Sequence, residues 1–198
     1  MARPREFDRE KALRQAMEAF WAHGYERTSA SVLEESMGIG RSSLYATFGS
    51  KDELFAESMD VYTADFRSRV IDKLRAEGPP KQVLERFFRR VADRGRSGGE
   101  RLRFCLVTRA SISIAEQPDR IKTRIAAFID ELDAAFYALL QRARQEGALA
   151  PGTDLRDSAR YLTTTLQALN VAVHAGPGER RESERLHPRG QQHATRDD

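Results

Sequence analysis

The segment GIGRSSLYATFGSKDELF, residues 38–55, holds Arg41, Ser42, Ser43, Tyr45 and Thr47 within seven positions, with Lys51 just beyond. A guanidinium can bind the edge of a guanine through two parallel hydrogen bonds, and hydroxyls can serve either base edges or phosphates. That is chemistry of recognition. Chemistry of turnover needs convergent groups, and the chain shows none in its pattern. Its four histidines, His23, His174, His187 and His193, have no metal-ligand spacing. No glycine-rich phosphate loop follows a strand, and no nucleophile–base pair stands out. The expectation is a protein that is not an enzyme and needs no metal or cofactor.

Presenting those side chains requires a short helix held between two breaks. Residues 8–23 place Leu13, Ala16, Met17, Phe20 and Trp21 at helical spacing, with Asp8 as N-cap and Gly24 as stop. A second helix starts at Thr28 or Ser29, buries Val32, Leu33 and Met37, and ends at Gly38. The third covers about 40–47 and turns Leu44 and Phe48 inward, toward Phe20 and Trp21 of the first. Ser50, with Glu53 three residues on, forms a capping box for a fourth helix that runs to about Arg75. Two short helices joined by a glycine turn make a helix-turn-helix, whose second helix enters a major groove. Thr28 and Ser29 at one helix start, and Lys51 at another, can meet phosphate through free N–H groups and the helix dipole. Arg3 and Arg5 lie on an arm that can reach the adjacent groove or backbone.

Bulk charge does not drive this reading. The net charge is +3, and residues 1–66 carry 8 Lys and Arg against 12 Asp and Glu. Residues 67–176 reverse the balance, with 20 against 13. Any contact to a polyanion has to come from where a few cations sit.

The rest of the chain reads as an all-α body. Gly78-Pro79-Pro80 stops one helix and starts the next, roughly 80–94. A sixth helix follows at about 100–115, then a seventh from Pro118 to about Glu146. An eighth is capped by Asp154 and carries Leu155, Ala159, Leu162, Leu166, Leu169 and Val173. From residue 177 the apolar pattern stops, and a charged tail is expected to be disordered. No apolar run reaches the roughly 20 residues that span a bilayer, and the N-terminus lacks the apolar core of a signal peptide. The one cysteine, Cys105, cannot form an internal disulfide, which suits a reducing cytoplasm.

Residues 13–55 resemble the DNA-binding domain of the tetracycline-repressor (TetR) family of bacterial regulators. The likeness rests on A-x-x-x-F-W-x-x-G-Y-E-x-T-S from Ala16, followed by M-G-I-G-R-S-S-L-Y-A-T-F-G-S-K-D-E-L-F from Met37. The resemblance implies a homodimer that binds a palindromic operator in double-stranded DNA, usually represses, and is released by a small-molecule effector. It implies a DNA-binding domain over 6–66, an effector and dimerisation domain over 67–176, and a tail over 177–198. The chain departs from the family pattern at Gly40, where Ser or Thr is usual, and at Thr47, where His is frequent. It also departs at Glu34 and Met37, where Ala is common. Losing a cap hydroxyl at Gly40 costs only a few tenths of a kcal/mol.

Phe87, Phe88, Phe104, Phe128 and Phe136 can line an effector pocket or simply fill the core, and His174 can point into the same domain. Arg86, Arg89, Arg90, Arg94 and Arg96 read as a solvated face. Some members of the family sense oxidants or electrophiles with a cysteine in the segment of Cys105. Arg103 and Arg109 would lower its pKa if they faced it, whereas burial would make it a small apolar residue. Two other readings stay open: a redox-sensing regulator, and a helical ligand-binding protein that no longer binds DNA.

Overall fold

Asp8 begins the first helix by accepting a hydrogen bond from the Lys11 amide at 3.0 Å. In the computed structural model, which describes residues 7–96 and 105–174, this helix, α1, spans Arg9–His23. It is followed by α2 (Ala30–Met37), α3 (Arg41–Phe48) and α4 (Lys51–Arg69). The body comprises α5 (Pro80–Arg96), α6 (Leu106–Ile112), α7 (Asp119–Gln145) and α8 (Leu155–His174). The described residues contain eight α-helices, two short 3₁₀ turns and no strand, so the expected all-α class holds. Among them, no helix is long and apolar enough to cross a membrane. The expected tail over 177–198, with Arg3 and Arg5, lies outside the described residues.

The head is built on aromatic packing. Phe20 and Phe55 are buried with ring centroids 4.8 Å apart, and Tyr25 closes the group 5.0 Å from Phe55. Leu33, Leu44 and Leu54 are fully buried around them. The expected anchoring of α3 to α1 through Phe20 and Trp21 takes a different form. Phe20 meets Phe55, and Trp21 lies edge-on to Tyr62 at 5.3 Å, both partners on α4. α3 itself packs mainly on α2 and α4, while Arg9 of α1 covers the Phe48 ring at 4.8 Å.

α4 ends six residues earlier than its apolar spacing predicts. Val70 leaves helical geometry, and a 3₁₀ turn over Ile71–Lys73 follows. Val70, Ile71 and Leu74 are all buried at this turn. Arg142 of α7 then donates to the carbonyls of Ala76 and Gly78 at 3.1 and 2.9 Å. The sixth helix also starts late: Cys105 is extended (φ −51°, ψ 123°) and α6 begins after it.

Within the body, α7 and α8 make the most extensive contact in the fold, and α5 leans on both. Phe87, Phe88 and Phe136 interlock, with centroids 5.3 to 6.0 Å apart. α4 carries the head into this body. Glu53, Asp60 and Arg67 are seven residues apart along α4 and pair with Arg120, Arg124 and Glu131 of α7. Each pair is exposed and contributes little energy, yet together they fix the register of the two helices.

Phe55→Ala should lower the unfolding free energy by about 3–5 kcal/mol, because it opens a cavity among Phe20, Tyr25 and Leu54. A change of Arg89, on the exposed face of α5, should stay within about 0.5 kcal/mol. Urea unfolding of the two variants measures the contrast.

Candidate nucleic-acid interface

An eight-residue helix gains too few internal hydrogen bonds to stand alone in water. α3 is held by Leu44 and Phe48, which are 0% and 3% exposed. Their burial turns the other side outward. Arg41, Ser42, Ser43 and Tyr45 are all exposed, with Thr47 half-buried beside them. Five of the sequence-derived candidates therefore share one short helix.

The start of α3 is open. Gly38 takes the left-handed conformation (φ 65°) that ends α2, and Gly40 caps α3 without a side-chain hydrogen bond. The N–H groups of its first turn stay uncapped, next to the guanidinium of Arg41. That guanidinium has a competitor: Glu34 of α2 lies 3.8 Å from it. The sequence marked Glu34 only as unusual, and its pairing across the glycine turn emerges from the geometry.

The flanking candidates separate. Ser29 caps α2 by accepting from the Val32 amide at 3.3 Å, and it is exposed. Thr28 is a correction. It is fully buried, its hydroxyl donates to the Gly24 carbonyl at 2.6 Å, and its amide donates to the Tyr25 carbonyl. Neither group is left for phosphate. Lys51 places its ammonium 4.2 Å above the Tyr25 ring. The Tyr25 hydroxyl donates to Asp52 in a short hydrogen bond, and burial followed by this carboxylate raises the phenol well above its ordinary value.

The capping box is complete. Glu53 N–H donates to Ser50 Oγ at 3.2 Å, and Ser50 N–H donates to Glu53 Oε2 at 2.7 Å. The same carboxylate reaches Arg120 of α7 at 3.2 Å. The Ser50 amide and hydroxyl, followed by Arg120, hold its pKa below the usual range.

The body candidates do not converge on one place. Phe87, Phe88 and Phe136 fill one cluster, whereas Phe128 pairs with Phe66 of α4 at 5.0 Å. Phe104 and the His174 side chain lie outside the described residues. Cys105 is buried, and Arg109 does not serve it: its guanidinium is spent on carbonyls at the end of α1.

Comparison with known proteins matches this geometry. The family model for bacterial regulatory proteins of the tetR family covers residues 12–58, and one for the tetracyclin repressor-like C-terminal domain covers 81–182. The chain belongs to the TetR family. It is a DNA-binding transcriptional regulator. An uncharacterized HTH-type transcriptional regulator of Bacillus subtilis, YezE, is 32% identical over 85% of this TetR-family chain and 87% of its own length. The HTH-type transcriptional repressor ComR of Escherichia coli is 26% identical over 88% and 83% of the two chains. Among solved structures, a cysteine mutant of the TetR-family regulator CifR, complexed with 26-base-pair operator DNA, superposes with a TM-score of 0.74. It is 30% identical over 88% of this chain and 90% of its own.

The lowered pKa of Glu53 fixes a sign. Its ionised form is favoured on folding, so its contribution is fully present above the ordinary carboxylate pKa and is lost as pH falls below that value and through its own lowered pKa. Glu53→Gln should therefore melt lower than the parent at neutral pH, and the gap should close below about pH 4. Thermal midpoints across a pH series check this.

Proposed function

We propose that this TetR-family regulator is a homodimeric repressor that reads a palindromic operator and is released by a small molecule bound in its body. The observation that carries it is the exposure of Arg41, Ser42, Ser43 and Tyr45 on a short helix held by buried Leu44 and Phe48. Arg41 reads a base edge, and the uncapped start of α3 with Ser29, Tyr45 and Lys51 holds phosphate. The DNA-binding domain takes residues 6–66 and the effector and dimerisation domain 67–176, with α4 crossing the boundary. Its work is binding rather than turnover, in the cytoplasm.

Dimerisation uses α7 and α8 in a four-helix bundle. Tyr161 and Val171 on α8 are 71% and 45% exposed in the single chain, which suits a face completed by a second copy. The two recognition helices then sit about 34–36 Å apart, or a small multiple of that distance. Effector binding shifts the population toward a spacing that fits the operator poorly. Support for the repressor role comes from ComR, described as a repressor, and from the CifR complex with operator DNA.

A second reading has one observation in its favour. The head is acidic overall, and Glu34 engages Arg41, as suits a head that no longer binds DNA.

Selection of bound fragments from random DNA should return a palindrome. On that site Arg41→Ala should weaken binding by about 10- to 100-fold and relax one base preference, while Lys51→Ala should weaken all sequences alike and reduce the salt slope by about 1. No palindrome, and an Arg41→Ala variant equal to the parent, would establish the second reading. Tyr161→Glu should raise the dimer dissociation constant by roughly tenfold or more, because it buries an unpaired charge. Sedimentation at micromolar concentration measures it.

A further inference from the structure

Every α-helix leaves four carbonyls unpaired at its C-terminus. In α1 these belong to Phe20, Trp21, Ala22 and His23. Gly24 N–H takes the Phe20 carbonyl at 2.7 Å. The other three are all met by one side chain from the body. Arg109 Nη1 donates to Ala22 O at 3.2 Å and, more weakly, to Trp21 O at 3.5 Å, and Nη2 donates to His23 O at 3.0 Å. The positive charge also sits at the negative end of the helix dipole. Gly24 is fitted to this approach. Its φ of 80° favours glycine, and a Cβ there would lie 2.8 Å from Arg109 Nε.

Arg109 sits on α6, which packs on α4, α7 and α8. Its amide donates to the Cys105 carbonyl at 2.8 Å, and Leu106, Val107 and Ala110 around it are buried. The guanidinium is therefore anchored in the body while its hydrogen bonds lie in the head. This matters because α4 is the covalent path between the two. Phe20 and Trp21 of α1 meet Phe55 and Tyr62 of α4, so the head rides on this rod, and Glu53, Asp60 and Arg67 set the rod's register on α7. α1 lies alongside α4, so an attachment at the end of α1 is off the rod's axis and adds a directional restraint on the head's angle.

We infer that Arg109 is the positioning residue that holds the DNA-binding head at one angle on the body and so sets which operator half-site spacing the dimer accepts. The inference rests on the dimeric, palindrome-reading function proposed above. A lysine keeps the charge but lacks the planar fork that reaches several carbonyls at once, so it restores the angle only in part.

The test uses the full chain and the palindrome it selects, alongside the same site with about two base pairs inserted at its centre, which turns one half-site away from the other. Fluorescence anisotropy gives both affinities, and a thermal melt confirms folding. The parent should bind the inserted site at least about tenfold more weakly, the Arg109→Ala variant within about threefold of its affinity for the original, and Arg109→Lys in between. Loss of general stability would lower both affinities together and leave their ratio intact, so a parental ratio in Arg109→Ala overturns the inference. If Arg109→Ala does not fold, the Arg109→Lys ratio decides it by the same criterion. A parent that accepts both spacings equally overturns the palindrome reading and takes this inference with it.

Discussion

The burial of Leu44 and Phe48 is the contact on which the rest depends. α3 has eight residues, and its first turn has no side-chain cap. Helix nucleation is costly, so a segment of this length persists only where tertiary packing holds it. Burial of two large apolar side chains, worth about 1.5–3 kcal/mol each, supplies that hold. It also fixes orientation: with Leu44 and Phe48 inward, helical periodicity leaves Ser42, Ser43 and Ala46 outward, while Arg41, on the same stripe as the anchors, is exposed because it opens the helix. The proposed recognition surface and the structural anchor rest on one constraint. Leu44 and Phe48 belong to the same apolar cluster as Phe20 and Phe55, with Tyr25 packed against it.

Charge has a different role. An acidic head gains little from the sequence-independent attraction that drives non-specific binding to DNA. The pair of Glu34 and Arg41 adds to this, because the guanidinium must leave a carboxylate before it reaches a base. An exposed pair at 3.8 Å is worth well under 1 kcal/mol. A bidentate contact to guanine outweighs it, whereas a passing phosphate contact barely does. On the function proposed above, the arrangement trades affinity for any DNA against discrimination among sequences.

Features governed by neighbours in sequence were legible before the structure. Asp8, Ser50 with Glu53, Gly24 and Gly38 act within four residues of themselves, so their types and spacing announce the helix ends. The exposed row on α3 was legible for the same reason. Features governed by distant partners were not. The early end of α4 was not legible either: Val70 and Leu74 continue the helical apolar spacing, so the 3₁₀ turn at Ile71–Lys73 carries no local stop signal. Thr28 looks like a helix cap in sequence, and only the fold shows that Ser29 takes the cap while Thr28 turns back to Gly24. Aromatic residues at helical spacing were visible, but which ring meets which was not, and Phe128 goes to Phe66 rather than to the other three. Arg109 was read beside Cys105, its neighbour on the chain, while its partners lie more than eighty residues away.

That last case shows how arginine joins the two parts of this molecule. Arg120 meets Glu53 inside the capping box of α4, immediately after α3. Arg109 meets the far end of α1. Both cations come from the segment of the body around the α6–α7 connection, and both act on helix termini rather than helix faces. A terminus offers unpaired backbone groups, and a guanidinium or the carboxylate it steers can satisfy several at once. Gripping ends rather than faces gives directional contacts whose geometry changes sharply with angle. Apolar packing, by contrast, tolerates small rotations at little cost. The dimer proposed above, whose output is the relative orientation of two heads, is better served by the directional kind. The bulk of the stability can then stay with the non-directional core.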